Sequence, residues 1–282
     1  MQSDRVGLGW RPELAAGIFD ALDRIDVLEV IADNYLDAPR RQRQALRTMA
    51  RRVPVHLHGI ALGLAGAEEV SSKQLDRLAR LVNEVEPESW SEHLAFVRAG
   101  GIEIGHLAAP PRTEASVAGA AKNLRKARAV VGSLPHMENI ATLIEPPCST
   151  LSEPAWIADI VASSGCGLLL DLHNLHANAT NFGFDPLDFL SKIPLAQVAC
   201  IHIAGGEWIT APDGEERYLL DDHLHDVTEP IYDLLTEMAA RVSQPLTVVL
   251  ERDGAYPPMP ALLEELDRAR AALAAGRRRQ QA

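Results

Sequence analysis

The chain has 282 residues, of which 47% are hydrophobic and 23% are charged, a composition typical of one large globular domain. Its formal net charge of -12 at pH 7 argues against a protein that binds the phosphate backbone of a nucleic acid. The N-terminus lacks the pattern of a secretion signal and no apolar run approaches 18 residues, so we expect a cytoplasmic protein without a membrane span.

Short apolar runs alternate with amphipathic helical patterns along the whole chain. This alternation predicts a parallel sheet that is covered by helices on both faces. Eight such units predict an α/β fold, a single-domain (β/α)8 TIM barrel over residues 1–275 that is followed by a short basic C-terminal tail at 276–282. The predicted strands lie within 6–10, 27–35, 53–60, 89–97, 136–144, 165–179, 197–206 and 246–254.

Side chains that can bind a metal ion stand at or just beyond the ends of most predicted strands. In a parallel barrel all strand C-termini point at one mouth, so residues that are far apart in sequence meet there. Ionisable groups in such number would be costly to bury together without a cation. We therefore predict one polynuclear metal site. Its candidate ligands are His58, His93, Glu138, Asp171, Asn174, His202, Asp221, His223 and Glu251.

The types of ligand limit the choice of metal and suggest where the chemistry takes place. A set of imidazole, carboxylate and amide groups without cysteine suits iron, manganese or zinc. The amide of Asn174 is a weak donor that would leave one ion open to exchange. We therefore predict that Asn174, Asp221 and His223 form the catalytic part of the site.

Five further residues beside these ligands are predicted to orient them or to act as additional ligands. A single histidine on a strand is more often a core residue than a ligand, so these positions carry less weight. His56 lies two residues before His58, so both side chains point into the barrel, with His58 nearer the mouth. The five residues are His56, Glu92, Asn139, His173 and His225.

Seven motifs at these positions resemble those of the multinuclear non-heme iron-dependent oxidases, once called DUF692, which include the methanobactin biosynthesis oxidase. The most specific is the stretch from Asp171 through Asn174 to the GFDP sequence at 183–186. The resemblance covers nearly the whole chain. The motifs are HLHGIAL (56–62), SEHLA (91–95), MENI (137–140), LLLDLHN with GFDPLDFL (168–190), IHIAGG (201–206), DDH (221–223) and LER (250–252).

This resemblance implies a barrel with two or three irons in mixed Fe(II) and Fe(III) states and with O2 as co-substrate. The family modifies a residue, often cysteine, in a ribosomally synthesised precursor peptide, and often works with a separate peptide-recognition partner protein. We group the ligands around three ions on this basis. The groups are His58, His93 and Glu138, then Glu138, Asp171, His202 and Glu251, and then Asn174, Asp221 and His223.

A zinc- or manganese-dependent hydrolase or isomerase is the alternative, because the barrel also looks like the wider xylose-isomerase-like superfamily. That superfamily includes trinuclear zinc nucleases, in which a histidine stands at the position of Asn174. The asparagine and the acidic net charge favour the oxidase. A non-catalytic scaffold is a third possibility, but it would not need an intact ligand set.

The long polar stretch at 204–220 follows the seventh predicted strand. Long loops on the active face of a barrel commonly contact the substrate. Trp208 and Tyr218 could hold a peptide, and Glu207, Glu215 and Glu216 would favour a basic segment. We therefore expect the peptide to enter between this loop and the loop after Asn174.

Overall fold

The computed structural model describes residues 3–210, 214 and 216–281. Glu215 lies outside the described residues, as do 211–213 of the predicted polar loop. The strands are β1 (Arg5–Gly9), β2 (Leu28–Ile31), β3 (Val55–His58), β4 (Ser89–His93), β5 (Phe96–Ala99), β6 (Ile102–Ala108), β7 (His136–Glu138), β8 (Gly167–Asp171), β9 (Val198–Ile203), β10 (Gly206–Thr210), β11 (Arg217–Asp221) and β12 (Thr247–Leu250).

Eight of these strands form a closed barrel, in the order β1-β12-β9-β8-β7-β4-β3-β2. Every neighbouring pair in the barrel is parallel. The predicted (β/α)8 barrel in a single domain is therefore confirmed. The other four strands form two antiparallel hairpins, β5–β6 and β10–β11.

Helices connect the barrel strands. In the described part of the chain, no helix has the length and hydrophobicity of a membrane span. Short 3-10 turns occupy Pro12–Leu14, Leu22–Arg24 and Leu195–Gln197. The α-helices are α1 (Ala15–Asp20), α2 (Asp33–Leu36), α3 (Arg40–Ala50), α4 (Ser72–Val85), α5 (Glu114–Val131), α6 (Glu153–Ser164), α7 (Leu172–Phe182), α8 (Pro186–Lys192), α9 (Glu229–Arg241) and α10 (Met259–Gln281).

The barrel interior contains an apolar layer below a polar one. Val27, Leu169, Cys200 and Val249 form a small cluster that is separate from the large core between strands and helices. Side chains two positions apart on a strand point the same way. The interior residues that follow in the next layer are Glu29, Asp171, His202 and Glu251, and all four are buried.

Two segments outside the barrel form hairpins. The turn between β5 and β6 is Gly100–Gly101, and both glycines have positive φ, +60° and +75°. This is the conformation that a two-residue hairpin turn requires, and glycine adopts it without steric cost. The predicted polar loop at 204–220 contains the hairpin β10–β11.

Residues 276–281, in the segment predicted as a basic tail, belong to α10. The guanidinium of Arg277 donates to the carbonyl oxygens of Ala239, Val242 and Gln244, and also to the carboxylate of Asp4. One arginine therefore connects the end of the chain with the segments before β1 and β12.

We expect Arg277→Ala to lower the free energy of unfolding by about 2–3 kcal/mol, because it removes several hydrogen bonds from one charged group. Chemical denaturation of the metal-free protein measures this. Arg278→Ala is the matched control, since Arg278 is exposed on the same helix, and it should change the value by less than about 0.5 kcal/mol. Equal effects of the two substitutions would contradict the assignment.

Candidate metal centre

Glu138, at the end of β7, lies between three imidazole rings. Its Oε2 is 3.4 Å from His58 Nε2 and 3.3 Å from His93 Nε2. Its Oε1 is 3.2 Å from His202 Nδ1. The two carboxylate oxygens therefore face two separate sets of nitrogen donors, which is the arrangement of a carboxylate that can bridge two metal ions.

Local contacts determine which nitrogen of each ring faces Glu138. His58 Nδ1 is 2.8 Å from the hydroxyl of Ser91, and His93 Nδ1 is 3.1 Å from the carbonyl of Gly59. Both contacts involve Nδ1, so the lone pair on Nε2 of each ring can bind a cation.

A second group surrounds the other oxygen of Glu138. Glu251 Oε2 lies 3.0 Å from His202 Nδ1. Glu138, Asp171, His202 and Glu251 each offer an atom within 4.8 Å of the others, and so do His58, His93 and Glu138. The structure thus brings together two of the three predicted groups.

The residues of the third predicted group line one cavity. Asp221 Oδ1 is 2.8 Å from His223 Nε2. Asn174 is buried in the first turn of α7, and not before a loop as expected. Its Nδ2 donates to the carbonyl of Asn139 at 3.0 Å, while its Oδ1 has no partner among the described residues.

The donor atoms fit a set of divalent cations. Among the described residues, six candidate ligands each have one buried oxygen or nitrogen that forms no hydrogen bond. Each such atom costs about 1–3 kcal/mol unless something compensates it. Two ligand atoms about 2.1 Å from one ion lie roughly 3 Å apart, close to the separations given above. The atoms are Glu138 Oε2, Asp171 Oδ2, Asn174 Oδ1, His202 Nε2, Asp221 Oδ1 and His223 Nε2.

The two imidazoles beside Glu138 differ in their affinity for protons. Burial lowers the pKa of His58 to about 3, despite the nearby carboxylate. Burial also acts to lower the pKa of His93, but the carboxylates of Glu138 and Glu92 raise it to about 9. A cation at this position would therefore displace a proton from His93.

The carboxylates of the second group are perturbed in opposite directions. Burial, together with the carboxylate of Asp221, raises the pKa of Asp171 well above its usual range. Burial acts in the same direction on Glu251, but His202 and His223 hold its pKa well below the usual range. Such opposed shifts in one buried cluster are common at functional sites.

Three of the predicted flanking residues contact the ligands directly. The carboxylate of Glu92 accepts the backbone N–H groups of Leu62 and His93. The side chain of Asn139 both donates to the backbone carbonyl of Asp171 and accepts its N–H, at 2.9 Å each. His173 is buried with its Nε2 3.7 Å from the carboxylate of Asp221.

The other two flanking residues lie away from the cluster. His56 is one layer deeper in the barrel, where it forms a buried group with Glu29 and Cys200. His225 is paired with Asp222 at 3.1 Å and its side chain is 46% exposed.

Three residues that lie near the ligands are not among the site residues predicted from the sequence. Glu29 stands in the middle of an apolar run, and its Oε1 lies 2.8 Å from His202 Nε2. Arg11 and Asp253 form an ion pair beside His223. A charged residue within an apolar strand was the available signal for Glu29, whereas nothing in the local pattern connects Arg11 with Asp253.

The cavity above the ligands has a volume of about 640 Å³. Its apolar walls come mainly from hairpin β5–β6 and from the segment 140–147. Of the described residues of hairpin β10–β11, only Leu219, Leu220 and Asp221 line the cavity, and the exposed Trp208 does not. The lining therefore favours a different entrance from the predicted one.

The chain is similar to known proteins over nearly its whole length. A family model described as the RiPP precursor modification enzyme MbnB/TglH/ChrH matches residues 5–274. A UPF0276 protein of Streptomyces avermitilis is 38% identical over 271 residues, 93% of this chain, which spans only 53% of that relative. A UPF0276 protein of Caulobacter vibrioides is 33% identical over 276 residues, 98% of this chain and 96% of the relative.

The fold also matches that of a xylose isomerase domain containing protein from Salmonella typhimurium. The TM-score is 0.61 at 14% identity, with 97% of this chain and 99% of the other covered. At this identity the likeness concerns the fold alone.

We expect Asp171→Asn to weaken the stabilisation of the protein by added Zn(II) while leaving the metal-free protein as stable as before. Asn can still accept the N–H of Asn174 that caps α7, and burial already disfavours the charged form of Asp171. Zinc affinity should fall about tenfold or more, since loss of even an outer partner of a metal ligand costs that much. Thermal unfolding across a zinc titration measures both quantities.

The control is Asp185→Asn, because Asp185 caps α8 in the same way, through the N–H of Leu187, away from the cluster. An unchanged zinc response in Asp171→Asn, or an equal loss in both variants, would contradict the role of Asp171.

Proposed function

Because this chain belongs to the MbnB/TglH/ChrH family of enzymes that modify RiPP precursors, we propose that it is a multinuclear iron- and O2-dependent oxidase. Its substrate would be a ribosomally synthesised precursor peptide, with a cysteine as the expected target. The observation that carries the proposal is the convergence of buried oxygen and nitrogen atoms that form no hydrogen bond, on Glu138, Asp171, Asn174, Asp221 and His223. Nitrogen and oxygen donors without a thiolate suit iron in this role.

The proposed ion positions share residues of the cluster. His58, His93 and Glu138 would hold one ion, and Asn174, Asp221 and His223 another. Glu138 would also belong to the central position, which is completed by Asp171, His202 and Glu251. Bound iron would supply redox chemistry and the reaction with O2.

The protein's own residues would position the substrate and exclude water. A neutral amide binds metal less strongly than a carboxylate or an imidazole does, so the position beside Asn174 is the one that we assign to exchange with substrate. The apolar wall formed by Phe96, Leu107 and Ile140 would keep bulk water away from the reacting side chain.

The rim of the cavity supports a peptide as the substrate. Leu143 and Ile144, which line the cavity, are 44% and 74% exposed, and Ile102 and Ile104 on hairpin β5–β6 are 69% and 41% exposed. Exposed apolar groups next to a cavity mark a surface that contacts another molecule. We propose that apolar residues beside the modified cysteine contact this rim, and that a peptide-recognition partner protein delivers the peptide.

A zinc- or manganese-dependent hydrolase or isomerase is the second candidate. The compact group of Glu138, Asp171, His202 and Glu251 favours it, because imidazole and carboxylate ligands also suit zinc and manganese. O2 consumption with an iron-loaded protein supports the oxidase, whereas peptide turnover with zinc and without O2 supports the alternative.

We expect anaerobic reconstitution to load two to three irons per chain. Glu138→Gln should lose more than one iron, because this carboxylate would serve two positions, whereas Asn174→Ala should lose at most one. Metal analysis after gel filtration gives these numbers, and circular dichroism checks that both variants are folded. One tightly bound zinc ion per chain with no uptake of iron would refute the oxidase proposal. Identical single losses in the two variants would contradict the bridging role.

We expect Ile144→Asp to raise the KM for the precursor peptide roughly tenfold or more, since burial of an isoleucine contributes about 1.5–3 kcal/mol. Iron content should not change, because Ile144 is 74% exposed at the rim. Trp208→Ala is the comparison, since Trp208 is exposed on hairpin β10–β11 and packs against Arg217. An increase in KM in Trp208→Ala alone would move the entrance to that hairpin.

A further inference from the structure

His223 has an unusual backbone conformation. Its φ is +56°, in the left-handed region that residues with a side chain rarely occupy. Such strain persists only where the surroundings hold it, and it occurs often at functional sites. The contacts around His223 therefore identify what holds it in place.

Asp253 contacts His223 through both its backbone and its side chain. The backbone N–H of Asp253 donates to the carbonyl oxygen of His223 at 3.0 Å. Its Oδ2 lies 3.1 Å from His223 Nδ1. The two contacts restrain the left-handed backbone and the plane of the imidazole ring together.

Arg11 holds the other oxygen of this carboxylate. Its Nε donates to Asp253 Oδ1 at 2.9 Å, and its Nη2 donates to the same oxygen. Its Nη1 donates to the carbonyl of Trp10 at 2.9 Å, and the side chain is only 11% exposed. Since Oδ1 is occupied by Arg11, Oδ2 remains for His223.

The direction of the hydrogen bond decides which nitrogen of His223 is free. A carboxylate can only accept, so Nδ1 must carry the proton and donate it to Asp253. Nε2 lies 2.8 Å from Asp221 Oδ1, so a cation bound by these two atoms would replace any proton between them and meet the Nε2 lone pair. Without Asp253, Nδ1 has Glu251 as a competing acceptor at 3.7 Å, and the ring loses its fixed orientation.

We propose that Asp253 is a positioning residue, held by Arg11, which fixes the tautomer and orientation of His223 so that Nε2 faces the metal position beside Asp221. The inference rests on the proposed function only in assuming that a metal binds there. Asp253 itself would not be a ligand. A carboxylate that accepts a hydrogen bond from a metal-bound histidine orients the ring and raises its basicity.

Zinc-loaded full-length protein tests the proposal, because zinc is diamagnetic. Long-range 1H–15N NMR of the histidine rings should show His223 bound through Nε2 with a proton on Nδ1. Asp253→Ala should abolish this pattern. It should also weaken binding of the last zinc ion to bind, the one beside Asp221, by about 10–100-fold. Asp253→Glu should restore part of both, since it keeps a carboxylate acceptor. Arg11→Met should have a smaller effect in the same direction.

Asp222→Asn is the matched control. Asp222 pairs with His225 Nδ1 at 3.1 Å in the same segment, and Asn can still accept the N–H of Leu224. The control should leave the signals of His223 and the affinity for the last zinc ion unchanged. If Asp253→Ala is too unstable to study, Arg11→Met and Asp253→Asn decide the question by the same two readouts.

A wild-type pattern of His223 in Asp253→Ala, with unchanged zinc affinity, would overturn the proposal. So would an equal loss in Asp222→Asn. The proposed oxidase function can fail separately. In that case wild-type protein consumes no O2 with iron and peptide, while the tautomer and zinc affinity still depend on Asp253.

Discussion

Side chains on a barrel strand alternate between the interior and the helices outside, and the positions of most candidate ligands depend on this alternation. On β9 the interior residues are Cys200 and His202, and on β8 they are Leu169 and Asp171. The first of each pair belongs to the apolar layer and the second to the polar cluster. A shift of one residue in either strand would turn the ligand towards the helices. The metal centre and the core that supports it are therefore specified together.

The polar layer is crowded, and Glu138 is the residue on which its arrangement converges. Three imidazoles lie within 3.4 Å of its two oxygens. The neighbouring contacts to Ser91 and Gly59 leave the ring nitrogens few alternatives. The ends of barrel strands carry most of the candidate ligands, whereas the apolar walls lie on hairpin β5–β6 and on the segment 140–147. The site thus separates a fixed centre from surfaces that can differ between related enzymes.

Periodicity and position at strand ends were sufficient to predict the barrel and to select residues that converge at its mouth. The same information did not predict hairpin β5–β6, although its Gly100–Gly101 turn between alternating strands is a recognisable signal. Asn174 was expected before a loop, but Asp171 caps a helix that begins at once.

The pair of Arg11 and Asp253 could not have been predicted in this way. These residues are 242 positions apart, and they meet only because β1 and β12 are neighbours in the closed barrel. Local sequence patterns report which face of an element a residue occupies. They do not report which distant residue will lie opposite.

That closure between the first and last strands also sets the order of events when the protein is made. Candidate ligands are spread from His58 to Glu251, and the pairing of β12 with both β1 and β9 completes the ring. A nascent chain that lacks β12 has neither Glu251 nor the partner of Arg11. The set of candidate ligands is therefore complete only after β12 has been made, and binding of the full set of ions would follow closure of the barrel.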